Sequence, residues 1–222
     1  MYSGKRIVAA MIYRRYLKRP LDMVLSLVAL LMLSPLLIVL AFLVRIKLGC
    51  PVIFKQQRPG LNERIFTIYK FRTMTNAKDD QGQLLPDEAR LTRFGRWLRS
   101  TSLDELPALL NVLRGDMSLV GPRPLLVRYL DYYSQDERKR HLVRPGLTGW
   151  AQVRGRNMLP WEERFRLDIE YVDNLAFLFD ARIILETFTR VRSRTDVMQC
   201  ASDLDFRDLD VERRFGGHVV GD

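Results

Sequence analysis

The longest apolar stretch, from Met23 to Val44, holds 22 residues without a charge. As a helix it reaches about 33 Å, close to one hydrocarbon core. No small-residue cleavage site follows it, so it reads as an anchor rather than a removed signal. Residues 50–75 alternate instead: VIFKQ and RIFTIYKFRTM, divided by Arg58-Pro59-Gly60, predict a short β-hairpin or two strands. Residues 76–88 are polar and predict an exposed loop. Over Ala89 to Leu98, one face carries Leu91, Phe94, Trp97 and Leu98, and Arg90, Arg93, Arg96 and Arg99 line its edge. That is an amphipathic helix, suited to an anionic membrane surface or to an ordinary protein surface. Ser100 to Pro107 reads as a helix start, with an apolar-faced helix continuing from Leu106 to Leu113 until Arg114-Gly115-Asp116. Two prolines and a glycine make Ser118 to Pro124 a rigid, non-helical loop. Residues 125–141 predict a helix, Pro145 to Gly149 a turn and Trp150 to Val153 a strand. Trp161 to Asn174 and Leu178 to Arg192 predict helices.

Charge changes the reading of the apolar run. Residues 1–20 carry Lys5, Arg6, Arg14, Arg15, Lys18 and Arg19 with no acid, and Arg45, Lys47, Lys55 and Arg58 precede Glu63 on the other side. Basic flanks mark the cytoplasmic side of a membrane, and here both flanks are basic. A hairpin entering and leaving through one face satisfies both; a straight span does not. Ser34-Pro35 lies at the midpoint, where Pro35 cannot donate to the Leu31 carbonyl and should bend a helix. The Ser34 hydroxyl can bond back to a carbonyl one turn earlier, such as that of Leu30. Asp22, at the mouth of the run, is expected to pair with Lys18 or Arg19 at headgroup level.

The whole chain has 222 residues and a net charge of +10. Its apolar and aromatic content excludes a disordered or fibrous class. Cys50 and Cys200 are too few for a disulfide framework or a zinc site, and His141 and His218 are the only histidines. His141 is assigned to structure or surface. Three parts follow: 1–48, a basic N-terminus with a re-entrant membrane helix; 49–194, an interfacial domain; and 195–222, an acidic tail of net −4. Within that tail, Leu204, Phe206, Leu209 and Val211 alternate with acids. They read as a docking segment for the basic body of the same chain or, by exchange, of a partner in a homodimer.

No Walker, dinucleotide-binding, HExxH or GxSxG motif is present. The strongest chemical signal is the adjacent pair Asp104-Glu105. Ser102-x-x-Glu105 also fits a capping box, and Asp104 could itself be a cap. Around the pair stand Lys70, Arg72, Arg96, Arg99, Arg123, Arg144, Arg154 and Arg156. Carboxylates and many guanidinium groups suit a diphosphate bridged by a divalent cation. A membrane-anchored adaptor binding acidic lipid or nucleic acid would explain the basicity but not the dyad. Nucleic acid is disfavoured, because the cations are not interleaved with aromatics on one reading helix.

Seven motifs occur in order: Lys18-Arg-Pro-Leu-Asp22, Ser34-Pro35, Gln57-Arg-Pro-Gly60, Tyr69-Lys-Phe-Arg-Thr-Met74, Thr101-Ser-Leu-Asp-Glu-Leu-Pro107, Ser118-Leu-Val-Gly-Pro-Arg-Pro124 and Val143 to Val153. Over about residues 16–192 the chain resembles the small monotopic polyprenyl-phosphate phosphoglycosyl transferases, most closely the short forms acting on UDP-N-acetylated sugars. The resemblance implies an α+β, mostly helical fold with an N-terminal re-entrant membrane helix broken at Ser34-Pro35. Interfacial amphipathic helices and a small β element would surround the active site. It implies a UDP-sugar and polyprenyl phosphate as substrates, membrane lipid as surroundings, and a bacterial cytoplasmic membrane with the domain on the cytoplasmic side. It further implies Asp104 as nucleophile and Glu105, with Asp104, as ligand of a magnesium ion (Mg2+). Lys70, Arg123 and Arg156 would hold phosphate and uridine groups, with Arg72, Arg99, Pro122, Pro124 and Arg144 completing the substrate site. Which UDP-sugar is taken stays open.

Overall fold

The computed structural model describes residues 8–155, 159–193 and 208–215. The fold is mostly helical with two small sheets. Helix α1, Val8–Leu48, contains a π-helical turn at Tyr13–Leu17. It is long and apolar enough to cross a membrane. It stops where Gly49 takes φ +82°, a backbone state glycine enters without strain. The helix runs through Ser34-Pro35 as one element. The carbonyl that Pro35 leaves without a donor is Leu31's, and the Ser34 hydroxyl donates to that oxygen at 2.8 Å, rather than to Leu30.

Both ends of α1 are fixed to the same body. Near its start, the Lys18 ammonium lies 2.6 Å from buried Asp180, which also accepts hydrogen bonds from the Tyr13 and Tyr171 hydroxyls. Asp22 is buried, not at a surface. It accepts from the Ser118 hydroxyl at 2.6 Å and from the Leu119 amide, while Lys18 stands 3.9 Å away. The expected pairing with Lys18 is therefore present, and what is corrected is the headgroup position: a desolvated carboxylate needs donors on every side, and Ser118 and Leu119 supply them. At the far end, Leu40, Val44 and Leu48 form a core cluster with Phe71 and Leu98. The stretch between keeps much of its apolar surface outward, with Met32 76% and Ile38 70% exposed.

Strands β1 (Ile53–Pro59) and β2 (Ile65–Phe71) form the expected antiparallel hairpin, in register from Ile53 opposite Phe71 to Pro59 opposite Ile65. Its turn lies at Leu61–Glu63, beyond the Arg58-Pro59-Gly60 signal, and there Asn62 supplies the left-handed state. Three other expectations are corrected. The helix expected over 89–98 is two, α2 (Asp87–Arg90) and α3 (Arg93–Ser100), because Leu91 is extended and Thr92 caps α3 by accepting from the Gly95 amide. Gly95 is required there: a Cβ would lie 1.8 Å from the Thr73 carbonyl oxygen. Residues 125–141 form two 3-10 turns, Val127–Tyr132 and Glu137–Leu142, rather than a helix.

Trp150–Arg154 is helix α5, not a strand. The strand comes just before it: β4 (Gly146–Thr148) pairs in parallel with β3 (Ser118–Val120). The other helices are α4 (Leu109–Arg114), α6 (Trp161–Asp173) and α7 (Phe177–Ser193). A last helix, α8 (Leu209–Phe215), lies on the chain's own body, with Leu209 fully buried. Of the tail's apolar positions, Leu204 and Phe206 fall outside the described residues.

Candidate active site

Asp104 and Glu105 sit in a 3-10 turn, Leu103–Ala108, directly before α4. Ser102, just ahead of it, is held at φ +56°, a left-handed state costing a non-glycine residue roughly 1 kcal/mol. No side chain caps this turn. Glu105 instead points to cations: Lys70 Nζ is 2.6 Å from Oε1, Arg123 Nη2 is 2.7 Å from Oε1, and Arg123 Nη1 donates to Oε2 at 3.4 Å. Both capping readings therefore fall, and the dyad is built for something else.

Three devices hold it in place. Asn111, fully buried one turn into α4, accepts from the Tyr69 amide at 3.1 Å and donates to the Thr67 carbonyl at 2.8 Å. It clamps the dyad's helix to the strand that carries Lys70. Arg19 of α1 donates to the Val112 and Leu113 carbonyls at the C-terminus of α4. The loop after β3 is rigid because consecutive carbonyls are all engaged. Pro122 accepts from the Gly146 amide, Arg123 from Arg140 and Pro124 from Arg58. Arg140 is itself buried against Asp168, at 2.7 Å.

Environment splits the two carboxyls. Burial, then the adjacent Glu105 charge, raises Asp104 to about 6. Burial alone would raise Glu105 too, but Arg123 and Lys70 overcome it and hold Glu105 well below the usual carboxylate range. One group is thus permanently charged and the other titrates near neutrality.

The dyad opens on a cavity of about 1170 Å³. Among the described residues, seven cationic side chains and four carboxylates line it, an excess suited to a polyanion. Leu25, Ala29 and Leu33 of α1 and Ile184 and Phe188 of α7 also line it, so apolar side chains share the cavity with the charged ones.

Lys70, Arg72, Arg99 and Arg123 all line this cavity. Arg99 donates to the Thr73 hydroxyl at 3.1 Å. Arg72 is buried, with its guanidinium on the Met74 and Cys50 carbonyls. Pro124 reaches only a smaller adjoining cavity, shared with Glu105, Lys70 and Arg123. Pro122 and Arg144 line neither; Arg144 donates to the Gly115 carbonyl at 2.9 Å. Arg156 lies outside the described residues. Ser34 and Pro35 belong to α1 and do not line the cavity.

Sequence reasoning missed Arg58, Arg164 and Asp168, all on the cavity wall. In the sequence Arg58 belongs to a turn signal, to the basic flank of the apolar run and to the Gln57-Arg-Pro-Gly60 motif, but not to the expected site. It donates to the Gln56 side chain at 2.6 Å and to the Pro124 carbonyl, both neutral. Burial, then the nearby Arg123 charge, lowers it to about 10. It is thus a buried cation beside another cation, with neutral hydrogen-bond partners. Its sequence signal was an arginine ahead of Pro-Gly on a strand facing Lys70's strand.

A profile of the bacterial sugar transferase family matches residues 13–194. The chain belongs to the bacterial sugar transferase family. An uncharacterized sugar transferase, EpsL of Bacillus subtilis, is 51% identical over 82% of this chain and 91% of its own length. A UDP-glucose:undecaprenyl-phosphate glucose-1-phosphate transferase of Escherichia coli is 40% identical over 78% of this chain. A UDP-N-acetylgalactosamine-undecaprenyl-phosphate N-acetylgalactosaminephosphotransferase of Aeromonas hydrophila is 36% identical over 79% of it. This chain spans only 39% and 44% of the length of those two. The dyad, Lys70 and Arg123 all fall inside the part matched by the family, whereas α8 lies beyond it.

Proposed function

We propose that this sugar transferase moves a sugar 1-phosphate from a UDP-sugar to polyprenyl (undecaprenyl) phosphate, giving polyprenyl-diphosphate-sugar and UMP. The observation that carries the reading is the dyad itself, a buried Asp104 beside a Glu105 paired to both Lys70 and Arg123, at the edge of a cationic cavity. Ionised Asp104 attacks the β-phosphorus. A bond forms between its carboxylate oxygen and phosphorus, the bond to the bridging oxygen breaks, and UMP leaves with that oxygen. The lipid phosphate oxygen then attacks the same phosphorus and the Asp104 carboxylate departs, so the two half-reactions are ping-pong. Lys70 and Arg123 keep Glu105 charged and face the diphosphate, with Arg58 and Arg99 along the same wall.

The dyad fits Mg2+. Two adjacent carboxylates suffice for a cation that keeps waters and takes phosphate oxygens, and Glu105 Oε2 has only a long 3.4 Å contact to Arg123. Among the described residues no group of three or more His, Cys, Asp or Glu side chains that could hold a metal ion occurs, so of those residues Glu105 with Asp104 would make the donation. When bound, Mg2+ would neutralise diphosphate charge.

The donor is proposed to be an N-acetylated UDP-sugar, as in the name of the Aeromonas relative. Helix α1 is proposed to be re-entrant, with the domain on the cytoplasmic face. Its support is that both ends of α1 are tied to one body, near Asp180 and near Phe71, while its middle is exposed. Ends held by one body cannot lie on opposite faces of a bilayer unless that body crosses too. The apolar cavity wall from Leu25 to Leu33 then meets the lipid substrate at the depth of its phosphate. UMP release by purified protein, with no lipid acceptor, tests the first half-reaction. UDP-N-acetylglucosamine, UDP-N-acetylgalactosamine and UDP-glucose compared in that assay test the sugar; faster release from UDP-glucose would overturn the N-acetyl assignment.

A further inference from the structure

We infer that the C-terminal helix α8 is a positioning clamp for the arginine-bearing wall of the active site, acting through the segment that follows Arg123. The inference rests on the function proposed above. Helix α8 lies outside the family match, which ends at residue 194. It is nevertheless docked by both apolar and charged contacts. Leu209 is fully buried in a cluster with Leu125, Tyr129, Tyr133, Trp161 and Phe165. Asp208 accepts from the Tyr129 hydroxyl at 2.8 Å and pairs with Arg128. At the other end, Arg213 binds both Glu137 carboxylate oxygens, at 2.5 and 2.9 Å, and the Tyr132 carbonyl.

The partners are not scattered. Leu125 directly follows Arg123-Pro124 and lines the smaller cavity with Arg58, Lys70, Glu105 and Arg123. Trp161 stacks on Phe165 and carries the Arg164 guanidinium over its ring at 4.3 Å, and Arg164 lines the main cavity. One helix thus backs two arginines at once, Arg123 from behind Leu125 and Arg164 from behind Trp161. Residues 125–137 carry one 3-10 turn, Val127–Tyr132, with the next starting at Glu137, so their position is set in part by what packs against them. Leu209 supplies the apolar anchor, and the Glu137–Arg213 pair sets the angle of approach. Leu209, Glu137 and Arg213 reach the dyad through Arg123, which pairs with Glu105, so the clamp is expected to act on substrate binding more than on the chemical step.

The test uses the full-length, detergent-solubilised chain, with UDP as the binding probe and UMP release as the activity. Leu209→Asp places a charge in the cluster and should release α8; UDP binding should weaken about tenfold, and UMP release at saturating donor should fall by a smaller factor. Leu209→Ile should restore wild-type binding. Glu137→Arg and Arg213→Glu should each weaken UDP binding, and the double reversal should recover it, a result that general loss of folding cannot give. Leu209→Asp binding UDP as wild type, or a double reversal no better than its parents, would overturn the clamp. Wild-type protein that neither binds UDP nor releases UMP would instead overturn the proposed function.

Discussion

Asp104 and Glu105 are neighbours in sequence yet opposite in behaviour. The difference comes from their partners: Lys70 and Arg123 hold Glu105, while Asp104 is buried with a negative charge beside it. In the proposed reaction Asp104 must be ionised to attack, and its pKa is raised by burial and by Glu105, so that form would be lost as pH falls through about 6. Single-turnover UMP release should therefore rise between about pH 5 and 7. Glu105→Gln removes the like charge and frees two cations, so this limb should move to lower pH while the rate drops; an unmoved limb would contradict the assignment. The same raised value makes ionised Asp104 a burden on the fold above its folded pKa and neutral below its unfolded one. Asp104→Asn should accordingly raise the thermal midpoint at pH 8 but not at pH 4. Arg58→Gln should raise the KM for UDP-sugar about tenfold, the loss of roughly 1.4 kcal/mol expected for a charge-assisted contact to phosphate.

Between elements, the decisive contacts are polar groups in apolar places. Asn111 interrupts the apolar face of α4 because its amide completes β2, and Asp22 enters the body because β3 needs an acceptor. Asn111→Ala leaves a buried backbone amide and a carbonyl without partners, which should cost about 2–4 kcal/mol of stability. A chemical-denaturation midpoint checks it, and a change below 1 kcal/mol would contradict the clamp. These positions also show how far the sequence could be read. Strand alternation and the apolar run were legible because one period served one face. The motif Lys18-Arg-Pro-Leu-Asp22 was visible too, but its partners, Asp180, Val112, Leu113 and Ser118, lie over ninety residues away in the chain. Local pattern also failed where short pieces replaced long ones. Thr92 is a good N-cap inside what looked like one helix, and Trp150 to Val153 alternates like a strand while folding as α5. Arg164 and Asp168 were hidden on a helix of ordinary amphipathic pattern.

At the scale of the molecule, α1 is fixed near both ends and keeps much of its apolar surface outward between them, and in the proposed reading it joins the reactive turn to the bilayer. Arg19 at the back of α4 and Leu25 to Leu33 along the cavity make α1 part of the site as well as an anchor. With Cys50 and Cys200 replaced by serine, cysteines at Arg15 and Lys55 should label from the same, cytoplasmic, side of sealed membranes. Labelling from opposite sides would contradict a re-entrant α1. The central claim is covalent, and its most direct measurement is mass. Purified protein mixed with UDP-sugar in the absence of polyprenyl phosphate and quenched in acid should release about one UMP per active chain. The peptide holding Asp104 should gain one phosphosugar, and Asp104→Asn should show neither. Full turnover by Asp104→Asn, or wild-type turnover that requires lipid acceptor before any UMP appears, would contradict it.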